Sequence, residues 1–81
     1  MLQSSANYLN FAALKTKKII LKRGKEHSVL RGHPWIFSGA VHQAENIQPG
    51  DWAEVLDSKG EYLASGHVGN GSIIVRILSR T

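Results

Sequence analysis

The sequence predicts a small, β-rich domain of the α+β class, and two features of its 81 residues support this. Short apolar segments recur at intervals of about 8–12 residues with turn residues between them, as in small barrels and sheets. A single short segment, residues 25–31, has a helical pattern instead. A chain of this length forms one domain at most, with a thin core.

The first predicted strand is followed closely by the predicted helix. Residues 18–22 are an apolar run between two lysines, which suits a strand with a buried centre. The helix over residues 25–31 presents Val29 and Leu30 as its apolar face and is stopped by the glycine and proline that follow. The three large apolar side chains of residues 35–37 are expected in the core.

Turn sequences divide the second half of the chain into strands. Residues 48–51 have Pro then Gly at the central positions, which predicts a type II turn. Residues 57–60 predict a type I turn between a strand over 52–57 and a return strand over 61–68. The last strand, residues 73–78, is apolar on nearly both faces. We therefore expect a domain over residues 17–81, preceded by an N-terminal extension over residues 1–16.

Composition excludes several classes of protein. The chain has no cysteine, which removes disulfides and thiolate chemistry and suits a reducing compartment, so we expect a cytoplasmic protein. No apolar run approaches the roughly 20 residues that a membrane-spanning helix needs. The N-terminal segment has no positive start before an apolar block and is a poor secretory signal. We expect no membrane partner.

Charge is distributed unevenly along the chain. Residues 1–33 contain seven basic residues and one acidic residue, a net charge of +6, whereas residues 34–81 have a net charge of −2. A domain polarised in this way presents one positive region, which suits a phosphate-bearing partner. A solvated, lysine-rich strand without a partner would show the same pattern, and charge alone does not separate the two.

The clearest candidate site is the basic turn, which consists of Lys22, Arg23, Gly24 and Lys25. Glycine lets backbone amides approach a phosphate closely, and the flanking cations add positive charge. The alternative is an ordinary strand-to-helix turn in solvent.

Three further residues surround the end of the predicted helix. Arg31 can grip a phosphate, and His33 and Trp35 can stack on unpaired bases. The alternative places Trp35 in the core and His33 in a turn, and for Trp35 we prefer the core.

Residues 66–71 are rich in glycine, but their spacing differs from the dinucleotide-binding fingerprint and no helix follows, so we interpret them as strand-turn-strand. No nucleophile–base pairing or metal-ligand spacing is evident, so we expect no active site and no metal. The four histidines are scattered along the chain, at His27, His33, His42 and His67.

One run of residues is more specific than these patterns. Residues 24–41 read Gly-Lys-Glu-His-Ser-Val-Leu-Arg-Gly-His-Pro-Trp-Ile-Phe-Ser-Gly-Ala-Val. This run closely resembles the N-terminal PUA-type domain of the large-subunit ribosomal RNA cytosine-5 methyltransferases. The resemblance extends over about residues 18–80 and includes the Pro-Gly-Asp turn at residues 49–51.

The resemblance implies a PUA-like pseudo-barrel of five or six strands with one or two short helices, serving to dock RNA. It also implies that Trp35 and Phe37 are core residues beneath the RNA-binding surface. The family often has a basic residue where this chain has Gly32, so one phosphate contact is absent here. The implied RNA-binding residues are Lys22, Arg23, Gly24, Lys25, Arg31 and His33.

Catalysis in that family belongs to another part of the protein. A methyltransferase portion C-terminal to this domain binds S-adenosylmethionine and supplies the catalytic cysteine. This chain has no cysteine, so we expect neither enzymatic activity nor a cofactor in it. It resembles a domain of a longer enzyme or a stand-alone relative, and its expected partners are ribosomal RNA and a covalently linked catalytic domain. The alternative is a protein-interaction or intramolecular packing module without direct RNA contact.

Overall fold

The computed structural model describes residues 16–81, and most of these lie in strands. The predicted N-terminal extension lies outside the described residues, apart from Thr16, which begins the first strand. In chain order the elements are β1 (Thr16–Leu21), α1 (Glu26–Leu30), β2 (Trp35–Phe37), a 3-10 turn (Ser38–Ala40), β3 (Val41–Ala44), β4 (Trp52–Leu56), β5 (Tyr62–Val68) and β6 (Ile73–Ser79).

The strands form one six-stranded sheet in the order β2-β6-β5-β4-β1-β3. All neighbours are antiparallel except β1 and β4, which are parallel. The two edge strands, β2 and β3, are joined by only the three residues of the 3-10 turn. A flat sheet would hold these edges about 24 Å apart, whereas the chain from Phe37 to Val41 reaches at most about 15 Å. The sheet therefore curls into a half-barrel, and the predicted β-rich α+β pseudo-barrel is confirmed.

Both predicted glycine turns are present. The Asp51 N–H donates to the Gln48 carbonyl at 3.0 Å with Gly50 at φ +90°, as a type II turn requires. The Gly60 N–H donates to the Asp57 carbonyl at 2.9 Å, and Gly60 has φ +87°. The Asp57 carboxylate accepts two further backbone N–H groups of this turn at 2.9 Å. These turns fix the ends of β4 and β5.

The core lies inside the curled sheet, under helix α1. Strand residues that point inwards alternate with residues that point outwards, as the pleat requires. Helix α1 packs against β5 and contributes Val29, which is fully buried. The buried apolar side chains are those of Ile19, Leu21, Val29, Ile36, Ala53, Val55, Ala64, Val68 and Val75.

Two expectations about the core were wrong. Trp35 and Phe37 are 42% and 44% exposed, and only Ile36 between them is buried. Successive side chains of an extended strand point to opposite faces, so a three-residue strand places only its middle side chain inside. Leu30 is 67% exposed, because Val29 alone of the predicted apolar face points towards the sheet.

The ends of the sheet also differ from expectation. Strand β3 was not predicted, since its sequence, Val-His-Gln-Ala, is mostly polar and only Val41 packs against the core. Strand β6 does not have two covered faces, because Val75 is buried while Arg76 and Leu78 are exposed. The outer face of the sheet is therefore open at β6.

Candidate nucleic-acid interface

The basic turn leads from β1 into helix α1. The Lys25 N–H donates to the Lys22 carbonyl at 3.0 Å, and Gly24 has φ +86°, a conformation that side chains other than glycine rarely adopt. The Gly24 N–H donates to the Glu26 carboxylate at 3.0 Å. A carboxylate thus occupies the amide that the sequence suggested for a phosphate, and Gly24 contributes mainly the shape of the turn.

The cations of this turn project into solvent. Lys22, Arg23 and Lys25 are exposed, and so is Arg31 at the other end of the helix. Within residues 16–81 the one ion pair at 4.0 Å or less joins Glu26 to its neighbour His27. The four exposed cations therefore have no carboxylate partner in the described part of the chain, which leaves their charge available to an anion.

A glycine-terminated hydrogen-bond motif fixes the end of helix α1. The His33 N–H donates to the Ser28 carbonyl and the Gly32 N–H donates to the Val29 carbonyl, both at 3.0 Å. Gly32 has φ +96°, as the residue after the C-cap, Arg31, requires in this motif. The position at which the resemblance led us to expect a basic residue thus has a conformational role here.

Three aromatic side chains cluster just beyond this helix end. The ring of His33 lies 6.4 Å from that of Trp35 and 6.1 Å from that of Phe37, in both cases edge to face. Trp35 and Phe37 are 6.4 Å apart in the same arrangement. The His33 Nδ1 accepts the Trp35 backbone N–H at 3.2 Å, which holds the imidazole against β2. Edge-to-face packing keeps the rings in place while leaving their surfaces exposed.

The aromatic cluster and the basic turn meet at a cleft between helix α1 and strand β2. The cleft has a volume of about 320 Å³ and is open to solvent. Lys25 lies at its wall together with Trp35 and Phe37. Ser28, Val29, Ile36, Gly39 and Ala40 complete the lining. The site thus combines one cation, two aromatic rings and an apolar floor.

The structure separates the six predicted site residues into two groups. The basic turn lies before helix α1, and Arg31 and His33 follow it. A helix of five residues is about 7.5 Å long, so the two groups stand at opposite ends of one short element. Of the six residues, only Lys25 lines the cleft.

Sequence reasoning missed two arginines. The Arg76 guanidinium lies 5.7 Å from the centre of the Trp35 ring, at cation–π distance. Arg80 donates to the carbonyls of Val29 and His33 at 2.7 and 3.1 Å. Arg76 interrupts an otherwise apolar strand, which was an available signal. No local pattern connects Arg80 to the helix.

Other kinds of site are not evident in residues 16–81. No group of three or more His, Cys, Asp or Glu side chains there is placed to hold a metal ion. In the same residues, no helix has the length and apolar character to cross a membrane.

Fold and sequence together define the class of this protein. A family model described as a PUA-like domain matches residues 19–80, which covers all six strands except the beginning of β1. The chain belongs to the PUA-like domain family.

Individual relatives narrow the comparison. The chain is 52% identical over 50 residues to the ribosomal RNA large subunit methyltransferase I of Erwinia tasmaniensis, covering 60% of this chain and 13% of that protein. The proteins of the same name from Yersinia pseudotuberculosis and Salmonella arizonae are 50% and 44% identical over 50 residues, again 60% of this chain, and 13% and 12% of their own lengths. The chain thus spans about an eighth of the length of these relatives.

Proposed function

We propose that this chain is an RNA-binding docking domain, and that the basic turn and the adjoining cleft form its contact surface. The observation that carries this proposal is the meeting of Lys25 with the exposed rings of Trp35 and Phe37 around one cleft. Proteins bind unpaired RNA by stacking its bases on aromatic rings while cations contact the phosphates. Membership of the PUA-like family and the names of the relatives support the same ligand.

The six site residues have distinct roles in this proposal. Lys22, Arg23 and Lys25 contact phosphates on one side of helix α1, while Gly24 gives the turn its shape. On the other side, Arg31 contacts a further phosphate. The remaining residue, His33, supports the aromatic cluster and can stack on a base at its edge.

The biological setting follows from the relatives, which are named as ribosomal RNA methyltransferases. We propose that the domain docks such an S-adenosylmethionine-dependent enzyme onto ribosomal RNA in the cytoplasm. The domain itself does not catalyse the reaction, and the cofactor would bind in a linked catalytic domain. Incubation of the 81-residue chain with labelled S-adenosylmethionine and ribosomal RNA should give no methyl transfer.

Fluorescence anisotropy of a labelled ribosomal RNA hairpin, titrated with the chain at two salt concentrations, tests the RNA-binding proposal. We expect binding that weakens steeply with salt, with a log–log slope of about −0.7 per phosphate contact on single-stranded RNA. The double variant Lys25→Glu, Arg31→Glu should bind far more weakly and with a shallower slope. Lys59→Glu places a single reversal of the same kind on the β4–β5 turn and provides a control for Lys25→Glu alone.

The possible outcomes are distinct. If the double variant binds as tightly as the wild type, RNA does not use this surface. If the wild type shows no salt-sensitive binding even at low salt, the domain does not dock RNA by itself and the proposal is wrong.

A further inference from the structure

We propose that the outer face of the sheet carries a second RNA contact, the stacking row, which binds unpaired bases. The stacking row consists of Trp35, Arg76, His67 and Trp52, on β2, β6, β5 and β4 respectively. It rests on the proposed function for its ligand, but three of its four residues lie outside the basic turn and cleft.

The register of the sheet places these residues in one line. Trp35 is opposite Arg76, Arg76 is opposite His67, and His67 is opposite Trp52. Residues directly opposite each other on antiparallel strands project from the same face with close Cβ atoms. The four side chains therefore cross four adjacent strands without interruption, over three strand spacings or about 14 Å.

Contacts along the row keep its members in place. Arg76 lies 5.7 Å from the centre of the Trp35 ring, and the rings of His67 and Trp52 are 5.3 Å apart at an interplanar angle of 81°. Arg76 and His67 are exposed, Trp35 is 42% exposed and Trp52 is half-buried. The row thus offers ring surfaces and a guanidinium to solvent in a fixed arrangement.

The chemistry of the row matches unpaired RNA. Aromatic rings and arginine stack on bases, and arginine also attracts phosphates. The row contains no acid, and the acid next along β4, Glu54, has Lys18 opposite it in the register. An exposed sheet with aromatic side chains is an established way of holding two or three unpaired bases. Bases within a duplex are stacked on each other and cannot use such a surface.

Trp35 joins this row to the cleft, because it lines the cleft and also contacts Arg76. A single strand whose phosphates lie on the basic turn can therefore continue past Trp35 along the sheet towards Trp52. The proposed ligand is a single-stranded RNA segment next to the element that the basic turn contacts.

Intrinsic fluorescence tests the row directly, because Trp35 and Trp52 are the only two tryptophans of the chain. The variant Trp35→Phe leaves Trp52 as the sole reporter, and Trp52→Phe leaves Trp35. The probe is a single-stranded oligoribonucleotide of about 12 nucleotides, with a duplex of the same length for comparison. We expect the single strand to quench both reporters, and the duplex to leave Trp52 unchanged.

Affinity provides the second measurement. The double variant His67→Ala, Arg76→Gln changes only exposed side chains, and it should bind the labelled single strand about tenfold more weakly while binding the duplex like the wild type. Lys59→Gln removes one positive charge from the turn at the far end of the β4–β5 ladder and serves as the control. Urea unfolding of each variant verifies that it is folded.

The results separate the row from the proposed function. If the single strand binds with unchanged Trp52 emission and the double variant binds it like the wild type, the row is not used, although RNA docking at the basic turn stands. If no RNA binds the wild type, both proposals fail. If RNA binds the basic turn and quenches Trp52, both are supported.

Discussion

Arg80 holds the end of helix α1 by donating from Nη1 to the Val29 carbonyl at 2.7 Å, across 51 positions of sequence. Its Nη2 also donates to the His33 carbonyl at 3.1 Å. The carbonyls at a helix C-terminus lack partners within the helix, and positive charge is favoured there. A residue beyond the last strand therefore fixes the short helix that separates the two groups of proposed RNA contacts.

Arg80→Met should destabilise the domain by about 1–2 kcal/mol. Methionine keeps most of the apolar stem but removes both hydrogen bonds from a charged donor, and such bonds contribute more than neutral ones. Urea unfolding followed by circular dichroism measures the change. Arg23→Met, at an exposed arginine of the basic turn, is the matched control and should change the unfolding free energy by less than about 0.5 kcal/mol. Equal losses in the two variants would mean that the Arg80 contacts do not stabilise the helix.

The fold was largely predictable because its signals are local. The turns at Gly50 and Gly60 depend on residues adjacent in sequence, and the strands between them alternate in polarity. The order of strands in the sheet depends on long-range pairing, such as the parallel pairing of β1 with β4, and no local pattern encodes it. Strand β3 was missed for the same reason, since it is an edge strand defined by pairing with β1 rather than by its own sequence.

Gly66→Ala should be severely destabilising, by about 3 kcal/mol or more. A Cβ atom at this position would overlap the Arg76 carbonyl oxygen and would lie 2.9 Å from the Ile77 Cα. These are backbone atoms of the neighbouring strand, so the ladder itself would have to move. Thermal unfolding measures the loss.

Gly39→Ala is the control for Gly66→Ala, because a Cβ at Gly39 meets no atom within 4 Å. It should shift the melting temperature only slightly. A melting temperature of Gly66→Ala close to the wild-type value would show that β5 and β6 can separate locally without loss of the fold.

The candidate site was predictable only in part. The cations of the basic turn were identified because they cluster in sequence, and charge on a short turn is almost always exposed. Trp35 and Phe37 were wrongly assigned to the core, because their size suggested burial whereas the pleat of a three-residue strand turns them outwards. The stacking row could not be found from sequence, since His67 and Trp52 meet Trp35 and Arg76 only through the sheet register.

Glu26→Gln should strengthen RNA binding about two- to threefold at low salt. The Glu26 carboxylate accepts the Gly24 N–H and is the acid nearest in sequence to the basic turn. Glutamine keeps a hydrogen-bond acceptor while removing a charge that repels phosphates over a few ångströms of water. Anisotropy titrations at two salt concentrations measure the gain, which should shrink as salt is raised. Glu61→Gln, on the β4–β5 hairpin, should have little effect, and an equal gain from both variants would mean that only net charge matters.

Gly32→Lys should lower stability and raise RNA affinity at once. Gly32 has φ +96°, so any other residue adopts a strained backbone, at a cost of about 1 kcal/mol. A side chain meets no atom within 4 Å there, so no steric clash adds to this strain. The new cation stands beside Arg31 and should add one phosphate contact, making the salt dependence steeper by about 0.7 in log–log slope.

Gly32→Ala separates the two effects, because alanine has the same backbone strain without the charge. Urea unfolding should give similar losses for the two variants, whereas only the lysine variant should bind the RNA hairpin more tightly than the wild type. A lysine variant that binds no better than the alanine variant would place the end of helix α1 away from the phosphates. The contacts would then be confined to the basic turn, and Arg31 would leave the proposed site.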